Sequence, residues 1–193
     1  MTMQVIDTIL EGVKIIVPKV FFDDRGYFFE SFNDKEFREK VCDTMFVQDN
    51  QSKSCKGTLR GLHWQAPPFA QSKLVRVTKG GVIDVAVDIR VGSPTFGKHV
   101  AVELTDENNL QLFIPRGFAH GFIALTDNVI FQYKCDNLYN KESERAVRWD
   151  SINWDLEKYN IETPLLSDKD KVHKLLTEMN ENELFNINDK LYD

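Results

Sequence analysis

The sequence predicts a mainly β fold, a sandwich or jelly roll of antiparallel strands, and three observations point that way. Short β-type runs recur along most of the chain, clusters of Gly, Pro, Asn and Asp separate them, and helical periodicity is scarce before the C-terminal stretch. Regularly spaced strands of this kind do not read as βαβ units.

Taken in order, the β-branched and aromatic runs predict strands at residues 13–16, 27–32, 46–50, 58–65, 73–79, 82–89, 98–104, 111–114, 121–124, 128–133 and 146–149. The turns between them carry Asp23-Asp24-Arg25-Gly26, Gly80-Gly81, Gly92-Ser93-Pro94, Asp106-Glu107-Asn108-Asn109 and Asp127-Asn128. Pro67-Pro68 can turn the chain so that strands 58–65 and 73–79 lie side by side. Residues 34–41 read as a short charged helix with Asn33 or Asp34 as N-cap. From Asp168 onward, Val172, Leu175, Leu176 and Met179 fall at i, i+3, i+4 and i+7, which predicts a C-terminal helix with one apolar face to dock. The polar stretch beyond Asn180 is expected to fray. Repeats, low-complexity blocks and linkers are lacking, so residues 1–193 read as one domain.

Composition narrows the function classes. With 42% hydrophobic and 28% charged residues and 14 Phe, global disorder is excluded. Apolar runs fall short of the roughly 18–20 residues a membrane span needs, and Met1-Thr2-Met3-Gln4 lacks the basic-then-apolar order of a signal peptide, so a cytoplasmic location is expected. Twenty-four basic against 30 acidic side chains give a net charge of −6, which argues against a phosphate-backbone binder; an anionic ligand must be held locally. Cys42, Cys55 and Cys135 are odd in number and never form a CxxC pair, so buried or semi-buried thiols are expected, not a disulfide framework or a zinc ribbon.

A small β-barrel with four histidines, His63, His99, His120 and His173, invites a metal reading. Such a site needs a His-x-His pair, a carboxylate soon after and a later His, so that three or four N and O donors converge from adjacent strands. Here the segments read His63-Trp64-Gln65 and Gln71-Ser72-Lys73, and a lysine among would-be ligands repels a divalent ion. The same lysine, fixed in a cavity, can stabilise an oxyanion by charge alone. On a period-two strand Lys73, Val75 and Val77 share one face, while Leu74, Arg76 and Thr78 share the other. Arg60 and His63 fall on opposite faces of their strand unless it bulges, and Gly61 supplies a place for that. Phe131 and Tyr133 share a face. Read singly, these residues keep bland alternatives open: Lys73 as a solvated strand lysine, His63 as a structural histidine, Tyr133 as a core aromatic with its hydroxyl at the edge.

The order of the motifs resembles one family. Asp24-Arg25-Gly26-Tyr27-Phe28, Gln48-Asp49-Asn50, Leu59-Arg60-Gly61-Leu62-His63-Trp64-Gln65, Lys73-Leu74-Val75, Asp84-Val85-Ala86-Val87-Asp88, Ser93-Pro94-Thr95-Phe96-Gly97, Ile114-Pro115-Arg116-Gly117-Phe118-Ala119-His120-Gly121-Phe122, Tyr133-Lys134-Cys135 and Leu166-Ser167-Asp168-Lys169-Asp170 run as in the dTDP-4-dehydrorhamnose 3,5-epimerases, from about residue 10 to 171. The resemblance implies a cupin-type jelly roll with a few short peripheral helices, the C-terminal one included. It also implies an isomerase that inverts C3 and C5 of dTDP-4-dehydro-6-deoxy-D-glucose, a step toward dTDP-L-rhamnose for surface polysaccharide, with no metal and no other cofactor. Residue by residue, it implies His63 as general base, Asp170 as its carboxylate partner, Lys73 beside the O4 enolate and Tyr133 as the acid on the opposite face. It implies substrate contacts from Arg25, Glu30, Gln48, Asn50, Arg60, Lys73, His120, Glu144 and Lys169, with Tyr139 stacking on thymine. Glu30 and Glu144 also read as surface charges. Finally it implies a homodimer in which Arg25 reaches the neighbouring site, for which Val20-Phe21-Phe22 and Tyr27-Phe28-Phe29 suit an interface, although an internal core would explain those runs almost as well. Two other readings are an epimerase acting at one centre or on another 4-keto nucleotide sugar, and a sugar-binding module without turnover.

Overall fold

The computed structural model describes residues 3–192. These form strands β1 (Gln4–Asp7), β2 (Lys14–Val17), β3 (Phe21–Asp23), β4 (Gly26–Phe28), β5 (Gln48–Ser54), β6 (Leu59–Gln65), β7 (Lys73–Lys79), β8 (Gly81–Asp88), β9 (Arg90–Val91), β10 (His99–Thr105), β11 (Gln111–Ile114), β12 (Phe118–Ala124), β13 (Val129–Cys135), β14 (Glu144–Ala146) and β15 (Phe185–Asn186), with one α-helix, α1 (Asp34–Lys40). A six-stranded sheet, β1-β2-β11-β7-β13-β5, faces a five-stranded one, β10-β8-β12-β6-β14. Every pairing within the two sheets is antiparallel. No helix among the described residues is long and apolar enough to cross a membrane.

Strand alternation sorts the side chains into three apolar layers. Val75, Val77, Leu112, Ile114 and Phe131 from the first sheet meet Val82, Ala86, Val102, Leu104 and Phe122 from the second, and the Phe122 and Phe131 rings stack at 4.1 Å between centroids. The outer face of the first sheet, Ile16, Leu74 and Phe113, is covered by Phe37 of α1 together with Phe32 and Phe46. Asn33 caps that helix by accepting from the Glu36 amide. The outer face of the second sheet, Ile83, Val85, Val87, Ala119 and Ile123, lies under residues from the C-terminal third, among them Trp154, Ile161, Leu176 and Phe185. β8 is therefore buried on both faces.

Several predicted boundaries shift. β12 begins at Phe118 and β5 runs on to Ser54, while β14 precedes the predicted 146–149 strand, which continues as a 3₁₀ turn over Trp149–Ser151. The predicted 27–32 strand is a short hairpin arm, β4, paired only with β3. The single amphipathic helix expected after Asp168 is replaced by two 3₁₀ turns, Leu176–Glu178 and Glu181–Glu183. The backbone there is bonded laterally: the Arg148 amide donates to the Lys174 carbonyl, and the Leu176 amide donates to Ser151 Oγ. Leu176 accordingly reaches the core while Val172 stays 79% exposed. The tail does not fray: β15 pairs with β9, and the Tyr192 hydroxyl bonds Ser72 Oγ at 2.6 Å. Of the thiols, Cys135 is buried, Cys42 half-buried and Cys55 exposed.

Candidate active site

A cleft opens between the sheets, lined by Arg60, His63, Lys73, His120, Tyr133, Lys169 and Asp170 and floored by Phe122 and Phe131. Seven of the residues singled out in the sequence thus converge from five separate stretches of chain.

The bulge in β6 makes this possible. Leu59 and Leu62, three residues apart, both face the outer apolar layer, so alternation slips by one residue between them and Arg60 and His63 come to share the interior face. The β12–β6 register shifts at the same place. Gly61 occupies the slip with φ of +132°, and a Cβ there would lie 2.5 Å from Gly121 Cα. Lys73 opens β7 on the face of Val75 and Val77, and Tyr133 lies across from Val75 on β13. Asp170 arrives from a loop tied to β6 by a parallel bridge between Thr58 and Leu165.

The His63 Nε2–H donates to Asp170 Oδ1 at 2.6 Å, which leaves the basic lone pair on Nδ1. Ser167 Oγ donates to Asp170 Oδ2 at 2.8 Å and fixes the carboxylate in turn. Burial alone would raise Asp170, but the bonds from His63 and Ser167 outweigh it and hold the carboxyl below the usual aspartate range. Desolvation pushes the Lys73 ammonium below the ordinary lysine value, against the opposing fields of Cys135, Asp84 and Glu144. Desolvation pushes the Tyr133 phenol up, so it stays protonated through the neutral range.

His120 is paired more deeply than the sequence implied. Its Nε2 lies 2.9 and 3.1 Å from the two oxygens of Asp84, a fully buried carboxyl on β8, and its ring stacks on Phe131. Desolvation raises Asp84 and lowers His120. Burial disfavours a charge on either partner, and the cationic side chains of the cleft are Arg60, Lys73 and Lys169. Asp84 and Ser167 stood inside motifs already quoted, and a lone carboxylate amid Val82–Val87 was the visible sign of the first.

The polar contacts divide. Tyr139 donates to Glu144, and Glu144 pairs with Lys169 at the rim. Gln48 Nε2 donates to Asn50 Oδ1, and Gln48 Oε1 accepts from the Tyr139 amide, so these five residues form one polar edge. Two residues lie elsewhere in the chain: Arg25 pairs with Asp23 in the β3–β4 turn, and Glu30 accepts from Asn33 on the far side of the first sheet.

Residues 7–178 match the family model described as dTDP-4-dehydrorhamnose 3,5-epimerase. The chain belongs to the dTDP-4-dehydrorhamnose 3,5-epimerase family. It is 56% identical over 169 residues to an enzyme of that name from Shigella flexneri, covering 87% of this chain and 93% of the relative. Among solved structures it is similar to the Legionella pneumophila epimerase in complex with dTDP-4-keto-L-rhamnose, with a TM-score of 0.91 and 45% identity over 97% of this chain and all of the other. A 3'-monoepimerase from Streptomyces bikiniensis in complex with dTDP-quinovose superposes at a TM-score of 0.82 with 30% identity, covering 93% and 91% of the two chains. The same scaffold therefore carries enzymes named 3,5-epimerase and one named 3'-monoepimerase, and the fold of this chain is the jelly roll its motif order implied.

One grouping of this epimerase-family chain has donors spaced for a metal ion: His63, Asp170 and His173 offer ligand atoms within 4.8 Å of one another. His173 comes from the tail segment and stands outside the cleft lining.

Proposed function

We propose that this protein inverts C3 and C5 of dTDP-4-dehydro-6-deoxy-D-glucose to give dTDP-4-dehydro-L-rhamnose. The observation that carries the reading is the convergence of a carboxylate-bound histidine, a half-buried lysine and a protonated tyrosine on one cleft. Both hydrogens are α to the C4 ketone, so one base can serve both centres. His63 Nδ1 takes the proton, and the electron pair moves into the enolate, whose O4 charge falls to the Lys73 ammonium. Tyr133 returns a proton on the opposite face, which inverts the centre. The tyrosinate then recovers a proton and the imidazolium gives one up through the open mouth of the cleft, so the site resets. Positioned acid–base groups give roughly 10²–10⁴-fold and a preorganised oxyanion donor about 10²–10³-fold, enough together for enolisation beside a ketone. Arg60 and Lys169 offer donors for the diphosphate, and Gln48, Asn50, His120, Tyr139 and Glu144 line its path.

A second copy of the chain completes the reading. The β3–β4 hairpin exposes Phe22, Tyr27 and Phe28 to 75, 54 and 61%, and neither arm pairs with a sheet. That surface suits a homodimer in which Arg25 enters the partner's cleft.

The test is proton NMR of dTDP-4-dehydro-6-deoxyglucose with the protein in D₂O. Loss of signal at both C3 and C5 is expected, with His63→Ala abolishing exchange at both centres and Tyr133→Phe impairing inversion while some exchange persists. Exchange at one position would make this a one-centre relative; full activity in His63→Ala would refute the base assignment.

A further inference from the structure

We propose that His63, Asp170 and His173 form an inhibitory site for a borderline divalent cation of the Zn²⁺ class, distinct from any role in the reaction. The inference rests on the epimerase reading for its activity readout only.

Two imidazole nitrogens and one carboxylate oxygen are the donor set such ions prefer. His63 Nε2 and Asp170 Oδ1 are 2.6 Å apart, His173 Nε2 and Asp170 Oδ1 are 3.9 Å apart, and all three donors fall within 4.8 Å. Tetrahedral coordination at about 2.1 Å places donors roughly 3.4 Å from one another, so shifts of about an ångström close the site. His173 Nε2 is buried and has no hydrogen-bond partner, a nitrogen lone pair or N–H that the fold leaves unused. Desolvation and the neighbouring His63 both favour its neutral, ligating form. Asp170 is already oriented by Ser167 through its other oxygen, as metal-binding carboxylates usually are. Beside these donors His173 borders a surface depression shared with Glu144, from which an ion can enter. Lys73 lies on the cleft side, Lys169 borders both the cleft and the His173 surface, and the two weaken the site electrostatically, which suits reversible capture and not a resident ion.

The consequence for catalysis follows from the tautomer. A cation on His63 Nε2 displaces the proton shared with Asp170, and the neutral imidazole then carries its hydrogen on Nδ1. The lone pair that abstracts the substrate proton is lost. Because the ion sits behind the imidazole, on the Asp170 side, substrate still enters the cleft, so inhibition falls on kcat more than on KM.

The experiment uses Zn²⁺ alone as probe. In the wild type, micromolar Zn²⁺ is expected to suppress deuterium exchange at both centres through kcat and chelation to restore it. In His173→Gln, basal activity is retained while the half-inhibitory concentration rises about tenfold or more. Equal sensitivity of the two proteins, no inhibition of the wild type, or a rise in KM at unchanged kcat would each overturn the proposal. Co²⁺ titration followed by its visible d–d absorption reads the site without turnover: a tetrahedral spectrum in the wild type that is lost in His173→Gln supports it, and an identical spectrum in both refutes it. This second measurement stands even if the substrate assignment fails.

Discussion

Lys73 is where charge, burial and mechanism meet in one side chain. Desolvation lowers its pKa, so on raising the pH it loses its proton before an ordinary lysine does, whereas Tyr133, shifted upward, still holds its own. The alkaline limb of kcat/KM is therefore expected to report Lys73. Arginine keeps its charge throughout, so Lys73→Arg should move that limb to higher pH, and Lys73→Met should lower the exchange rate by about 10²–10³-fold at neutral pH. A limb unmoved in Lys73→Arg would assign it to another group. This residue was legible in the sequence because a strand of period two ties it to the face of Val75 and Val77, and the core accounts for those two. The Asp84–His120 pair was less legible. A buried carboxyl on a strand covered on both faces needs a partner, and the partner lies on a neighbouring strand 36 positions away, which no local pattern reports.

At the scale of elements, the bulge in β6 decides whether a site exists at all. Without the slip at Gly61, Arg60 and His63 would point to opposite faces and one of them would enter the outer apolar layer. Any side chain at position 61 meets the Gly121 backbone at 2.5 Å in a left-handed conformation, so Gly61→Ala should cost about 2–5 kcal/mol from backbone strain and overpacking together. A denaturant midpoint equal to that of the wild type would show that the bulge tolerates a Cβ. Glycine inside a strand pattern made this feature readable in advance. The C-terminal stretch was not readable by the same means. Its i, i+3, i+4, i+7 spacing is real, but the segment bonds to residues 148–151 and lays Leu176, Met179 and Phe185 individually on the second sheet, so the apolar residues serve an extended cover in place of a helix face. Periodicity records which residues are apolar, and lateral partners decide the backbone.

For the whole molecule, the unbalanced part is the β3–β4 hairpin, aromatic, exposed and carrying Arg25 away from its own chain's cleft. The three apolar layers close around the two sheets without it, and apart from the stacking of Tyr27 on Phe29 its aromatic surface faces solvent in one chain. A dimer in which each hairpin serves the other subunit makes a prediction that a purely structural dimer does not. Arg25→Ala and His63→Ala, each inactive or nearly so alone, are to be co-expressed with different tags. Random pairing makes half of the dimers mixed, and each mixed dimer has one site with both defects and one site with neither, so about a quarter of wild-type turnover should return. If Arg25 acted within its own chain, every site in every dimer would carry one defect and nothing would return. Isolation of the doubly tagged species sharpens the contrast, since its activity should approach about half that of the wild type in the first case and background in the second. The outcome also bears on the hairpin aromatics: Phe22→Asp should abolish the recovery by preventing pairing, with the monomer's core left untouched.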